Sequence, residues 1–232
     1  MSQDAAPQVS DQVEISARVR RIIAEHRKDQ EEHSINVDGI HLVIHPGVFD
    51  PSKGKLSTEV LKYLDVEGGQ QALDMFTGCG IYAVFMARRG AYVVATDVDD
   101  TAVSCAKENV RMHRLDGRVE VIKSDLFKKV PNRRFDLIVA NPPIADSKYH
   151  DKDPAEYDHI ERALLDDGAV LKGFLRNADC FLNPGGRIIM AYANTGFPEL
   201  FREFVKGREY KLEILETIKF HPEEFYIFKL MK

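Results

Sequence analysis

Gly78 and Gly80, separated only by Cys79, sit between residues 71–76, a short and mostly apolar run, and a segment where Ile81, Val84, Phe85 and Met86 fall at helical spacing. That order reads as strand, tight turn, helix. Glycines at the bend allow positive φ and let the backbone come close to a ligand, while the helix start offers free N–H groups. The next run, residues 91–95, is apolar and β-rich and ends in Thr96-Asp97-Val98-Asp99. An acid at the tip of the second strand of a βαβ unit is placed to accept both hydrogens of a ribose diol, and Asp97 is that acid. Asp99 reads as the N-cap of the helix that follows.

The spacing argues against a nicotinamide enzyme. A dinucleotide site has a third glycine three residues after the second, where the helix packs closely on the strand, and here that position is Ala83. Asp74, four residues before Gly78, weighs more. A carboxylate there is ill suited to a pyrophosphate and well suited to a ligand carrying an ammonium group.

Alternation of strand and helix continues along the chain. Strands are expected over 119–123, 135–140 and 187–192, and helices over 101–113, 163–182 and 198–206. Residues 212–219 and 225–230 are expected to pair at the sheet edge, one of them antiparallel. The pattern predicts an α/β fold: a Rossmann-like, mostly parallel seven-stranded sheet with an antiparallel edge strand and helices on both faces. Before it, residues 1–10 are expected to be disordered, and Val13, Ile15, Val19, Ile22 and Ile23 mark an amphipathic helix to about residue 28. Residues 35–44 form two alternating runs around Asp38-Gly39, a hairpin signal, and 56–64 is helical. The division is therefore an extension or lid over 1–45 and a catalytic domain over 46–232.

Composition bounds the partners. With 44% hydrophobic and 30% charged residues the chain is an ordinary globular protein. No apolar run approaches membrane-spanning length and the polar start is unlike a signal peptide, so a cytoplasmic protein with no membrane partner is expected. Against 32 Lys and Arg stand 37 Asp and Glu, which disfavours large RNA, since a phosphate backbone asks for a cationic surface. Cys79, Cys105 and Cys180 show no paired spacing, so neither a disulfide framework nor a metal site is suggested. The oligomeric state is left open.

Asp74-x-x-x-Gly78-x-Gly80, Asp97, Ser124-Asp125-Leu126-Phe127 and Phe135 to Ala140 followed by Asn141-Pro142-Pro143 together resemble the class I S-adenosylmethionine-dependent methyltransferases. The likeness runs over about residues 40–195. It is greatest to the small-domain group that contains HemK-like protein-glutamine methyltransferases and the ribosomal-RNA guanine N2-methyltransferases, and Gly47-Val48-Phe49 and Ser57-Thr58-Glu59 also echo it. The resemblance implies S-adenosyl-L-methionine as cofactor. Asp74 then faces the ammonium of its tail, Thr77, Gly78 and Gly80 its backbone approach, Asp97 its ribose diol, and Asp125 and Leu126 its adenine, with Val98 a further contact to the cofactor.

Asn141 and Pro142 are the catalytic candidates. Two successive prolines stiffen the loop and remove two N–H donors. The Asn141 side-chain oxygen and the Pro142 carbonyl are then acceptors that orient the hydrogens of a nitrogen nucleophile, and the resembling enzymes use the motif in this way; Asn141 also borders the cofactor. Where the family continues with an aromatic residue this chain has Ile144, which offers no π face. With only about 40 residues before the hairpin, a small-molecule or peptide amine is the expected acceptor. Protein glutamine, ribosomal-RNA guanine, and cyclisation of the cofactor itself to azetidine-2-carboxylate and methylthioadenosine are the alternatives. The polar segment 145–161 reads equally as a substrate loop or as a solvated surface, and its histidines and acids match no metal spacing.

Overall fold

The computed structural model describes residues 9–232, so the expectation for 1–8 lies outside the described residues. The chain runs α1 (Val9–His26), β1 (His33–Val37), β2 (Ile40–Ile44), α2 (Lys55–Glu59, extended to Tyr63 by a 3-10 turn), β3 (Gln71–Met75) and α3 (Ile81–Arg88). Next come β4 (Tyr92–Asp97), α4 (Asp100–Met112), β5 (Val119–Lys123), β6 (Phe135–Ala140), the two-residue β7 (Ala145–Asp146), α5 (His159–Leu164) and the two-residue β8 (Leu165–Asp166). The chain closes with α6 (Ala169–Asn177), β9 (Leu182–Ala193), α7 (Pro198–Gly207), β10 (Lys211–Phe220) and β11 (Glu223–Met231).

Seven strands form one sheet in the order β10-β11-β9-β6-β3-β4-β5. The five central and right-hand strands are parallel, and the direction reverses at the β10–β11 edge, where β11 runs antiparallel to both neighbours. Side-chain alternation divides the core. Leu137 and Val139 of β6 join the layer under α3, α4 and the β1–β2 hairpin, whereas Ile138 and Ala140 join Phe174 of α6 and Phe201 of α7 on the other face. Asp74 lies between Leu73 and Met75, which face α6 and α7, so the same alternation turns its carboxyl toward α3.

Two expectations change. Residues 9 and 10, expected to be disordered, belong to helix α1, and the segment expected as a single helix over 163–182 is broken into α5, β8, α6 and a 3-10 turn. The break is local. Gly168 adopts φ 92 and N-caps α6, a conformation that ends helical continuity, and Asp166 accepts from the N–H groups of Val170 and Leu171 at 3.1 and 3.0 Å. The hairpin forms as expected: Asp38 and Gly39 take φ 49 and 77, a pair of positive values that suits a two-residue turn.

The extension is tied to the domain at separate places. Asn109 of α4 accepts from Val43 N–H at 2.7 Å and donates to its carbonyl at 2.8 Å, fixing the hairpin. Helix α1 instead builds a core of its own with the segment after β6: Ile15, Val19 and Ile23 pack on Ala145, Tyr149, Tyr157 and Ile160. Glu161, buried in α5, is the polar anchor of that joint. Burial works to raise its pKa, yet Lys152, the Asp158 N–H, Arg27 of α1 and His150 hold it down at about 2.

At the glycine turn, Gly80 has φ 86 and a Cβ added there would stand 3.2 Å from the Ala106 Cβ of α4, while Gly69, with φ 88, has open space around it. Gly80→Ala is therefore expected to cost more than Gly69→Ala, about 2–3 against about 1 kcal/mol in urea unfolding, because strain and collision add only at the first.

Candidate active site

Sheet order locates the site. From β3 the chain moves outward through β4 to β5, then returns to the opposite side of β3 as β6, so the carboxyl ends of β3 and β6 diverge and leave a crevice. A cavity of about 1030 Å³ opens there. Its floor is the turn after β3, its sides are the ends of β4, β5 and β6, and its roof is α1 with Tyr157 and His159 of the segment after β6.

The turn is held from beneath by Asp74. This carboxyl is fully buried; Oδ2 accepts from Thr77 Oγ1 at 2.6 Å and from the Ala83 N–H at 3.1 Å, joining both ends of the bend. The bend is strained: Phe76, Gly78 and Gly80 all have positive φ, at 66, 53 and 86. Oδ1 of Asp74 is buried with no hydrogen-bond partner among the described residues. Burial pushes this carboxyl up to about 7, and the nearby Asp97 adds to the rise. Asp74 stands behind the cavity wall, while Thr77, Gly78, Asp97, Val98, Asp125, Leu126, Asn141 and Pro142 line it.

At the tip of β4, Asp97 accepts from the Gly78 N–H at 2.9 Å and from the Asp99 N–H at 3.1 Å, and burial raises its pKa as well. One oxygen lone pair of each carboxylate atom is committed and the other remains for a diol. Val98 beside it is 57% exposed, an apolar surface left open on the cavity side. Asp99 N-caps α4 and pairs with His159, so the roof is tied to the strand end. After β5, Leu126 has φ 49 and Asp125 pairs with Lys128 at 2.6 Å. Two raised carboxyls and an apolar shelf suit a ligand with a cationic part, a diol and a flat ring. The residues that line the cavity fit an adenosyl sulfonium amino acid, and the unpartnered Oδ1 of Asp74, buried just behind the turn, is an acceptor that a water joined to the ligand's cationic tail would satisfy.

Asn141 leaves β6 with its amide nitrogen 3.0 Å from Ser57 Oγ. Its side-chain carbonyl is thereby the atom left for a substrate, next to Pro142. Ile144 packs against the sheet core. Sequence reading assigned no role to Ser57, to Tyr82, whose hydroxyl donates to the Ser57 carbonyl at 2.9 Å, or to His26 of α1, which stacks on Phe49 at 4.5 Å. Ser57 stood in a quoted motif and was legible; the His26 contact joins residues 23 apart and left no local mark. Of the even choice for 145–161, the roof holds part: Tyr157 and His159 line the cavity. Among the basic residues, Lys123 pairs with Asp100 and Arg18 with Glu223. Two carboxylate–histidine groups, Asp29/His33/Asp50 and Glu32/His45/Glu108, bond within themselves.

Since Asp74 is raised in the folded state, its contribution favours folding below its unfolded value near 3.8 and is lost as pH rises to about 7. Asp74→Asn removes that loss. The stability of the Asn variant relative to the native chain should therefore rise between pH 4 and 8, by at most about 4 kcal/mol at 1.4 kcal/mol per unit, in urea titrations across that range.

Comparison with known proteins agrees with this geometry. A family model described as methyltransferase small domain matches residues 39–214. A ribosomal protein uL3 glutamine methyltransferase of Francisella tularensis is 33% identical over 57% of this chain and 44% of its own length. A putative protein N5-glutamine methyltransferase of Methanocaldococcus jannaschii is 28% identical over 83% of this chain and 96% of its own. Ribosomal RNA small subunit methyltransferase C of Chromohalobacter salexigens is 30% identical over 78% and 52%. The chain thus spans about half the length of the Francisella and Chromohalobacter relatives. Among solved structures, the Thermus thermophilus 16S rRNA N2 G1207 methyltransferase, in complex with AdoMet and guanosine, superposes over 87% of this chain and 50% of its own with a TM-score of 0.65 at 22% identity. At that identity the likeness speaks for the fold.

Proposed function

The chain belongs to the methyltransferase small domain family, and from that premise we propose that it is an S-adenosylmethionine-dependent N-methyltransferase acting on the side-chain amide of a glutamine in a protein. The observation that carries this reading is Asn141: an amide whose nitrogen is engaged by Ser57 and whose carbonyl stays free beside a proline-stiffened turn, at the rim of a cavity that fits the cofactor. Two of the relatives above are named for glutamine, one of them matched over nearly its whole length.

The cofactor supplies an activated methyl group. Asp97 would take the ribose diol, Val98 and Leu126 the adenine, and the free oxygen of Asp74 the tail ammonium, directly or through water. Asn141 Oδ1 and the Pro142 carbonyl would hold the two hydrogens of the acceptor nitrogen, leaving its out-of-plane face toward the electrophilic carbon. Alignment and exclusion of water supply most of the rate. The nitrogen loses its proton after transfer, so the site asks for no strong base.

A flat acceptor departs from the compact amine expected from Ile144. The support is that Tyr157, Phe220 and Phe225 bring aromatic rings to the cavity wall, so a π face is available without one at 144. Guanine N2 is the second reading, favoured by the ribosomal-RNA relative and opposed by the excess of acids. A cytoplasmic location belongs to the same proposal; no helix among the described residues is long and apolar enough to cross a membrane.

Incubating the protein and cofactor with a synthetic peptide bearing one glutamine, with a ribosomal-RNA fragment, with small amines, or alone, followed by mass spectrometry, tests the reading. S-adenosylhomocysteine and a methylated glutamine are expected. Methyl on guanine or on a small amine alone overturns the acceptor, and methylthioadenosine without acceptor indicates cyclisation. Asn141→Ala should lower turnover about a hundredfold, in the range seen when one oriented polar group is removed, with cofactor affinity unchanged. Cofactor affinity of the native chain should also tighten as pH rises through about 7, where Asp74 ionises, and calorimetry on Asp74→Asn should show that dependence flattened.

A further inference from the structure

Three elements far apart in sequence meet behind the acceptor group. Ser57 lies in the first turn of α2 and is 5% exposed; its hydroxyl is 3.0 Å from Asn141 Nδ2 at the exit of β6. Its own carbonyl accepts from the hydroxyl of Tyr82, itself buried, in α3 just past the glycine turn. All three residues line the same cavity.

An asparagine amide is nearly symmetric in shape. Rotated by half a turn, it would present two donors where the acceptor nitrogen needs a carbonyl, and two N–H groups facing two N–H groups repel. Something must choose the orientation. A serine hydroxyl can donate as well as accept, so Ser57 alone leaves the choice open; the Tyr82 hydroxyl gives its one hydrogen to the Ser57 carbonyl, which holds Ser57 in place, and its oxygen, which also bonds the Asn141 side chain, is then left only to accept, which favours the amide nitrogen on this side. Burial raises the pKa of the Tyr82 phenol, so the hydroxyl stays protonated as a donor.

We propose that Ser57 is a positioning residue that sets the rotamer of the Asn141 amide, carbonyl toward the acceptor nitrogen, with Tyr82 holding Ser57 in place. This rests on the nitrogen-methylation reading above. Ser57 acts through Asn141 and touches neither reacting atom. The arrangement also links the acceptor group to the helix that begins at the cofactor turn, through two hydrogen bonds and no flexible loop.

The test compares Ser57→Ala and Ser57→Thr with the native chain, alone and combined with Asn141→Ala. In nitrogen-15 spectra the side-chain NH2 of Asn141, assigned by its absence from Asn141→Ala, should exchange slowly with solvent in the native protein and in Ser57→Thr, and markedly faster in Ser57→Ala. With the glutamine peptide as acceptor, Ser57→Ala should lower kcat on the order of ten- to a hundredfold, as small misplacements of a catalytic group do, with cofactor affinity and melting temperature unchanged. Ser57→Thr should recover most of it, and Ser57→Ala should add nothing in the Asn141→Ala background. Unchanged Asn141 exchange in Ser57→Ala, or independent losses that multiply in the double variant, overturns the proposal. A native protein that ignores the peptide retires the glutamine reading, and the Asn141 exchange rates still decide the role of Ser57.

Discussion

A single buried carboxyl organises this site. Asp74 bonds the Thr77 hydroxyl and the Ala83 N–H across a turn that contains three positive-φ residues, one of them a phenylalanine. The clasp acts together with the Thr77 N–H on the Thr96 carbonyl, the Asn109 amide on the Cys79 carbonyl and the Gly78 N–H on Asp97, which hold the same bend. The clasp is costly, because one oxygen of the same group is buried and unpartnered and its ionised form is disfavoured. An acid kept in this condition stores a preference for a cation. Asp97, raised by the same burial, shares that preference from the neighbouring strand.

The cavity is assembled from parts with different loyalties. Its floor and sides belong to the sheet and follow from the switch in strand order at β3, as in any open α/β fold. The roof does not. Helix α1 and the segment after β6 share a small core of their own, anchored by the charge cluster around Glu161, and touch the main domain through His159 with Asp99, His26 with Phe49, and Arg18 with Glu223. A roof joined to its base by polar and aromatic contacts, and internally by an apolar core, is built to act as one piece.

The floor was legible in the sequence because it is local. The turn glycines, Asp97, Asp99 as N-cap, the hairpin at Asp38-Gly39 and the strands of the sheet each announce themselves within a few residues, by period or by a residue whose backbone freedom is needed at that point. Legibility failed where a long-range contact decides. The 163–182 segment has helical composition throughout, yet the left-handed Gly168 and the Asp166 cap divide it. Ser57 and Asn141 are 84 positions apart, and α1 packs over the cavity on Tyr149, Tyr157 and Ile160, which stand singly in a polar stretch that reads equally as a substrate loop or a solvated surface. Asp74 stood out as an acid before the turn, and its place behind the wall, clasping that turn, follows from alternation along β3 that becomes plain only once its neighbours are known to face α6 and α7.

The most direct measurement is a crystal structure with S-adenosylhomocysteine bound. The account predicts the ribose on Asp97, the adenine against Val98 and Leu126, and the tail ammonium satisfying Asp74 Oδ1, itself or through one ordered water, with Asn141 Oδ1 facing the vacant methyl position. A nucleoside bound elsewhere, or bound at the turn while Asp74 Oδ1 stays unpartnered, would contradict it.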